Sequence, residues 1–422
     1  MAGLLAIHAF DDLWDVTNYV RYGAISLRHR GEDSVVVCLP KEGVKCLTFE
    51  EPDEIDVRLG SYVAVVGTYN DVRVDEDYIA RGSSGGVEVV VLADRPYEEL
   101  KPLANAVAEA VHLSSLNALE SGLRKVFTEF SNAPTLLTLS SRGDVIAWRC
   151  GSGLTPLVLG SYGFDLAIVA SEHATAEVLG AEVKRGLPPG EGVIISKNLF
   201  KTFKTSFSGS PALCAFELLY LARPDSIVDG VSVYEFRKRV GAEVGKAFKN
   251  EVDVVVGVPE TALPYALGFS QSVGKPVELA LIPTGSRSRS MLKVDPMEKV
   301  VAIHMKMNPV KKVLEGRKVA LVDDSMVVGS TMKAAVQLLR SEVGVDEIHL
   351  VVASPPIVST CPYKLFNLNM ERLLAANLTK DLAVKYLDVD SLNWVDAGVL
   401  SSVVRNYNIK LCGKCFKECF FG

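Results

Sequence analysis

Residues 318–331 constrain the fold more than any other part of the chain, because an apolar strand runs directly into two carboxylates and a loop of small residues. Residues 319–322 predict a buried parallel strand, and residues 331–340 predict the helix after it. The turn between them therefore lies at the carboxyl end of a strand. There, Ser325, Gly329, Ser330 and Thr331 would bring backbone N–H groups and hydroxyls to a helix N-terminus, which favours an anion such as phosphate. The alternative is an ordinary strand-to-helix turn with two capping aspartates.

The two carboxylates, Asp323 and Asp324, can accept hydrogen bonds from ribose hydroxyls or help to hold a Mg²⁺ ion that carries pyrophosphate. This segment resembles the phosphoribosyl pyrophosphate (PRPP) motif of type I phosphoribosyltransferases, in which a strand is followed by Asp-Asp-Ser, a Gly and Ser-Thr in the same order. A second predicted strand at residues 252–258 leads to Thr261, whose hydroxyl is expected at the same sheet edge.

A basic loop lies between these two motifs. Residues 284–290 predict a mobile flap in which Arg287 and Arg289, with Lys306 nearby, neutralise a pyrophosphate leaving group. A solvated surface loop is the alternative.

Composition limits the class of protein. The chain has 422 residues, 48% hydrophobic residues, 23% charged residues and a formal charge of −6, which describes a globular chain of two or three domains. No basic region suggests nucleic acid, and the N-terminal residues predict neither a signal peptide nor a membrane span. We expect a cytoplasmic protein, in which eight cysteines argue against a disulfide framework.

The pattern of elements changes along the chain. Up to about residue 205, short β-rich runs alternate with a few helical patterns and lack a βα rhythm. From about residue 210, strands and helices alternate as in a doubly wound α/β domain. We predict an α+β domain over residues 1–205, an α/β domain over 206–400 and a tail over 401–422.

Several further runs support one resemblance over nearly the whole chain. They are residues 26–33, 153–160, 170–172, 180–182, 217–226, 258–264 and 305–310. Together they resemble the glutamine amidophosphoribosyltransferase family of purine biosynthesis. The resemblance implies an N-terminal-nucleophile (Ntn) hydrolase-like αββα domain that frees ammonia from glutamine, and a type I phosphoribosyltransferase domain that adds it to PRPP. It also implies that Thr261, Asp323 and Asp324 surround Mg²⁺.

The cysteines divide into two groups under this resemblance. Cys214, Cys361, Cys412 and Cys415 match the positions at which some family members bind a [4Fe-4S] cluster, and four thiolates complete its ligand set. Zinc is a minority alternative, and four unrelated thiols are another. Cys38 and Cys46 are predicted to fill strand positions, and Cys419 has no assigned role.

The glutaminase half departs from the family pattern. Ala2 occupies the position of the nucleophilic cysteine, and Cys150 that of an aspartate that holds the glutamine ammonium. The region between Gly31 and Asn70 is short, and Asn70 is a doubtful remnant of the oxyanion hole. Ala2 alone would also fit an engineered substitution, but three coincident losses favour natural degeneration.

The sequence therefore predicts formation of 5-phosphoribosylamine from PRPP and ammonia, with an inactive glutaminase half. The alternative is a catalytically silent regulatory subunit that binds PRPP or nucleotides. A homo-oligomer, or a hetero-oligomer with an active paralogue, is expected.

Overall fold

The computed structural model describes residues 2–55, 58–70, 77–113, 116–283, 304–305, 307–366 and 368–416. The chain divides into two compact units. The first comprises Met1–Glu217, Ser226–Gly230 and Tyr363–Phe366, and the second comprises Leu218–Asp225, Val231–Pro362 and Asn367–Gly422.

The first unit is rich in strands and has few helices. Its strands are β1 (Gly3–Ala9), β2 (Ser34–Leu39), β3 (Lys45–Phe49), β4 (Val63–Tyr69), β5 (Ile79–Ser84), β6 (Val87–Ala93), β7 (Leu136–Ser140), β8 (Val145–Trp148), β9 (Val158–Tyr162), β10 (Leu166–Ala170), β11 (Glu182–Gly186), β12 (Glu191–Ser196), β13 (Leu199–Lys204), β14 (Leu213–Cys214) and β15 (Ile227–Val228). Its helices are α1 (Thr17–Leu27), α2 (Leu100–His112), α3 (Leu116–Glu129) and α4 (His173–Val178).

Two antiparallel sheets form the centre of this unit. One has seven strands in the order β11-β9-β10-β1-β4-β2-β3, and the other has six in the order β13-β12-β8-β7-β6-β5. Because side chains alternate along a strand, Leu4 and Ala6 of β1 pack between the two sheets, whereas Leu5 and Ile7 pack on the opposite face. Helices α1 and α4 cover the first sheet, and α2 and α3 cover the second. This αββα sandwich confirms the predicted fold of the N-terminal half.

Cys38 and Cys46 lie in strands, as predicted, but the expectation that the cysteines form no disulfide is wrong for this pair. Cys38 and Cys46 form a disulfide between β2 and β3, with the two Cα atoms 4.0 Å apart. The antiparallel register places these residues directly opposite each other, so both side chains project from the same face. The prediction rested on the general scarcity of disulfides in cytosolic proteins. For this pair, the register of the two strands decides the outcome.

The second unit has the predicted alternation of strands and helices. Its strands are β16 (Val231–Ser232), β17 (Val254–Gly257), β18 (Leu281–Ile282), β19 (Asn308–Pro309), β20 (Lys318–Asp323), β21 (Glu347–Val352), β22 (Ser391–Trp394) and β23 (Leu411–Cys412). Its helices are α5 (Val233–Ala247), α6 (Leu263–Val273), α7 (Lys311–Leu314), α8 (Ser330–Leu338), α9 (Leu374–Asn377), α10 (Lys380–Leu387) and α11 (Ala397–Val404).

A parallel sheet of four strands, in the order β17-β20-β21-β22, organises this unit. Helix α5 begins directly after Ser232, whose hydroxyl caps the helix by accepting a hydrogen bond from the Glu235 N–H. Helices α5 and α6 lie close together, and a Cβ atom on Gly268 would lie 1.8 Å from the Lys238 carbonyl oxygen. Within the described ranges, none of the helices has the length and apolar character needed to cross a bilayer.

Candidate functional site

The carboxyl edge of the parallel sheet brings the two predicted strand-end motifs together. Strands β17 and β20 pair in parallel, with Gly257 opposite Val322. Both strands therefore end at the same edge, where open α/β sheets bind their ligands. The chain leaving β17 carries Thr261, and the chain leaving β20 carries Asp324 and Ser325.

Hydrogen bonds connect these residues directly. The Thr261 hydroxyl donates to Oδ2 of Asp324, and the Ser325 hydroxyl donates to Oδ1 of the same carboxylate at 2.7 Å. The backbone N–H of Asp324 donates to Oδ1 of Asp323 at 3.0 Å. Asp324 is only 4% exposed, whereas Asp323 is half-buried. The buried carboxylate is thus fixed in place by two hydroxyls, and its neighbour is the more accessible of the pair.

A helix N-terminus follows this carboxylate pair. Gly329 has a positive φ of 79° and immediately precedes α8, and the exposed Ser330 and half-buried Thr331 lie in its first turn. A side chain at Gly329 would be strained by this φ and would also approach Leu374 to 3.0 Å. The first backbone N–H groups of a helix have no partner within the helix, so they favour an anion at this end.

Three predicted ligand residues lie outside the described residues. They are Arg287 and Arg289 of the predicted flap, and Lys306.

The predicted iron–sulfur ligands lie in both units. Cys361, Cys412 and Cys415 belong to the second unit, and buried Cys214 belongs to the first. Burial, and then the charges of Cys361 and Cys412, raise the pKa of the Cys415 thiol to about 12. These three thiols are therefore near enough to interact electrostatically. Nevertheless, the described part of the chain contains no group of three or more His, Cys, Asp or Glu side chains placed to hold a metal ion. The cluster stays a prediction.

The first unit encloses the N-terminal position that the family pattern assigns to a nucleophile. Ala2 is 2% exposed, and its N–H donates to the Asp94 carbonyl oxygen at 2.9 Å. The N–H of Gly3 donates to the Thr68 hydroxyl at 3.2 Å. A methyl side chain supplies neither a nucleophile nor a proton acceptor at this position.

A buried ion cluster lies in the same unit. Arg30 donates from Nε to Glu172 at 2.6 Å, and its two terminal nitrogens donate to Glu217 at 3.0 and 2.7 Å. All three side chains are 0% exposed. Burial would raise the pKa of Glu172, but the Arg30 charge and hydrogen bonds from His29 and Ser226 hold it well below its ordinary value. The guanidinium is thus fully engaged with protein carboxylates.

The other predicted glutaminase positions have structural partners. Cys150 is buried, and its Sγ lies 3.0 Å from the Ser152 hydroxyl. The Asn70 amide accepts from the Glu32 N–H at 3.0 Å and donates to the Arg30 carbonyl at 3.2 Å. Asn70 therefore ties the end of β4 to the loop after α1.

The sequence did not reveal two features of this unit. Glu172 and Glu217 lie in runs that support the family resemblance, but no sequence pattern pairs them with Arg30. The other feature is Asp94, which directly follows the apolar strand β6. It is 1% exposed, and burial raises the pKa of its carboxyl group despite a hydrogen bond from Thr155.

The fold and this edge of the parallel sheet define a type I phosphoribosyltransferase unit joined to an Ntn-hydrolase-like unit. A family profile described as "Phosphoribosyl transferase domain" matches residues 238–356. Two solved structures share the fold, each at 24% sequence identity. They are the allosteric regulatory enzyme of purine biosynthesis (TM-score 0.83, covering 99% of this chain and 96% of that one) and the glutamine PRPP amidotransferase of B. subtilis complexed with ADP and GMP (TM-score 0.80, 99% and 97%).

Relatives with greater sequence identity identify the family. Amidophosphoribosyltransferases from Bacillus subtilis and Synechococcus elongatus are 34% and 33% identical over 321 and 319 residues, or 76% and 74% of this chain. These alignments span 66% and 64% of the two relatives' lengths. The amidophosphoribosyltransferase of Methanocaldococcus jannaschii is 27% identical over 98% of this chain and 96% of its own. The chain belongs to the amidophosphoribosyltransferase family.

Proposed function

We propose that this protein forms 5-phosphoribosylamine from PRPP and ammonia. The observation that carries the proposal is the assembly of Thr261, Asp324 and Ser325 beside the N-terminus of α8, at the carboxyl edge of the parallel sheet. The amidophosphoribosyltransferase relatives support the same reaction. We assign it to residues 206–400.

In the proposed reaction, ammonia forms a C–N bond at C1 of the ribose, while the C1–O bond breaks and its electron pair leaves with pyrophosphate. The displaced centre is cation-like, so a fixed negative charge nearby stabilises it. Asp323 would supply that charge and contact the ribose hydroxyls, and Asp324 would orient it through the backbone. The first-turn N–H groups of α8 would hold the phosphate of PRPP.

The oxygen-rich residue set also suits Mg²⁺, which binds few protein carboxylates together with substrate phosphates. Asp323, Asp324 and Thr261 would hold the ion, which when bound would offset the charge of the pyrophosphate.

Calorimetry with PRPP and Mg²⁺ tests the assigned site. The double variant Asp323→Asn, Asp324→Asn should lose PRPP binding. Asp346→Asn is the matched control, because this exposed aspartate precedes β21 at the opposite edge of the sheet. Equal binding by the wild type and the double variant would refute the assignment.

We further propose that the first unit is not a glutaminase. The support is the Ala2 methyl group at the nucleophile position and the buried Cys150 at the position where the family pattern has an aspartate for the glutamine ammonium. Pyrophosphate release should therefore occur with ammonium chloride, at a pH that supplies free ammonia, and not with glutamine. Activity with glutamine would refute the inactive glutaminase, whereas silence with both donors would favour a regulatory subunit that only binds PRPP.

We also propose a [4Fe-4S] cluster held by Cys214, Cys361, Cys412 and Cys415. Protein purified without oxygen should contain iron and sulfide, and Cys412→Ser should lose as much iron as Cys214→Ser, because each removes one ligand of a shared site. Cys150→Ser is the control and should retain iron. A preparation containing stoichiometric zinc, or no metal, would refute the cluster.

A further inference from the structure

A cavity of about 210 Å³ in the first unit has no place in the reaction above. Its apolar wall includes Leu157, Val158 and Ile227, and its polar lining includes His173, Arg185 and Asp229. The volume lies below the roughly 300 Å³ at which pockets for drug-sized ligands begin. The volume therefore suits a ligand smaller than a nucleotide.

The two charged groups of the lining are held in place by buried partners. Both oxygens of Asp229 accept hydrogen bonds of 2.7 Å from Arg149, whose side chain is 1% exposed. The Arg185 guanidinium pairs with Glu191, which is 4% exposed in its side chain. Arg185 and Asp229 themselves remain 42% and 20% exposed. The cavity thus has one positive and one negative group, both accessible and both fixed before any ligand arrives.

Two local features support a preformed binding site. A β-bulge interrupts the pairing of β11 with β9 between Val183 and Arg185, and bulges occur beside binding sites because they redirect a side chain. In addition, buried Nδ1 of His173 makes no hydrogen bond within the described residues, although it lies 3.4 Å from the Glu177 carboxylate. A buried polar atom of this kind favours a ligand that can pair with it.

We infer that this cavity binds a free α-amino acid with an apolar side chain. Arg149 and Glu191 already offset the charges of Asp229 and Arg185, so a simple carboxylate or a simple amine would bring an unbalanced charge to the cavity. A zwitterion matches both charges, with its carboxylate toward Arg185 and its ammonium toward Asp229. Its side chain would then lie against Leu157, Val158 and Ile227, where an apolar group is favoured.

Three ligands of matched shape test the inference by calorimetry on the full chain. L-Leucine has both charges, 4-methylpentanoate lacks the ammonium, and 3-methylbutylamine lacks the carboxylate. Leucine should bind one per chain and at least tenfold more tightly than either analogue. An analogue that binds as tightly as leucine, or no binding by leucine, would overturn the inference.

Variants locate the binding. Arg185→Gln should weaken leucine binding at least tenfold, but it also leaves buried Glu191 without its partner. Ile227→Trp avoids this problem, because position 227 is 44% exposed and the larger ring fills the cavity while every charge is kept. It should abolish leucine binding and leave pyrophosphate release unchanged. Ile25→Trp, at a comparably exposed position on α1, is the control. Wild-type binding by Ile227→Trp would place the ligand elsewhere and refute the site.

Discussion

Replacing Arg30 by methionine should destabilise the first unit more than any surface change on the same segment. The substitution removes the guanidinium that donates to both Glu172 and Glu217. Glu217 would then lose its two hydrogen bonds from Arg30, and Glu172 would keep its hydrogen bonds with His29 and Ser226 but lose the compensating guanidinium charge. Breaking a buried ion pair by removing one partner typically costs about 3–5 kcal/mol. For a unit of this size, that loss lowers Tm by about 6–20 °C.

The chain provides a matched control two residues away. Arg28 pairs with Glu51, and the two side chains are 37% and 44% exposed. Exposed pairs of this kind contribute about 0–1 kcal/mol because water screens the charges. Arg28→Met should therefore lower Tm by at most a few degrees. Calorimetric scans of the wild type and both variants under identical conditions measure the contrast.

The pH dependence identifies the physical cause. In the wild type, the pKa of Glu172 is below its ordinary value, so its stabilising contribution is present above about pH 4.5 and is lost at lower pH. Without Arg30, burial raises the pKa of Glu172, and acid then relieves its charge. The difference in Tm between wild type and Arg30→Met should therefore shrink as the pH falls from 7 toward 5. A variant no less stable than Arg28→Met, or a difference independent of pH, would refute this explanation.

The features that the sequence predicted well are local along the chain. Strand β20, the Asp323–Asp324 pair and helix α8 lie within about twenty residues, so hydrophobic pattern and turn chemistry determine them. The contact between Thr261 and Asp324 joins distant segments, but it follows from one rule, since neighbouring parallel strands end at the same edge. The parallel sheet was predicted for the same reasons, whereas the αββα sandwich was implied by the resemblance to the family.

The features that the sequence did not reveal depend on packing between distant segments. Arg30 lies 142 residues before Glu172 and 187 before Glu217. No periodicity indicates that these side chains meet, because their positions follow from how the first sheet packs. The Cys38–Cys46 disulfide depends on the exact register of β2 and β3, and a shift of one residue would have put the two side chains on opposite faces.

Three further predictions concern single side chains. Thr261→Val should lower kcat/KM for PRPP by about tenfold or more, because it removes one of the two hydroxyls that donate to the buried carboxylate of Asp324, whereas Thr261→Ser should retain activity; equal kinetics for the two variants would contradict this role. The double variant Cys38→Ser, Cys46→Ser should lose about 2 kcal/mol of stability, since the disulfide closes a short loop, and should be insensitive to dithiothreitol, unlike the wild type. His8→Phe should make the protein more resistant to acid. Burial lowers the pKa of His8 from 6.5 to about 4, so between these values the unfolded chain binds a proton that the folded chain does not. Wild-type stability should therefore fall by up to about 3 kcal/mol as the pH drops through this window, and the variant should lack that part of the fall. Urea unfolding at pH 7, 5.5 and 4.5 measures how the free energy of unfolding changes with pH in the wild type and in the variant. The same change in both proteins would show that His8 is not the group responsible.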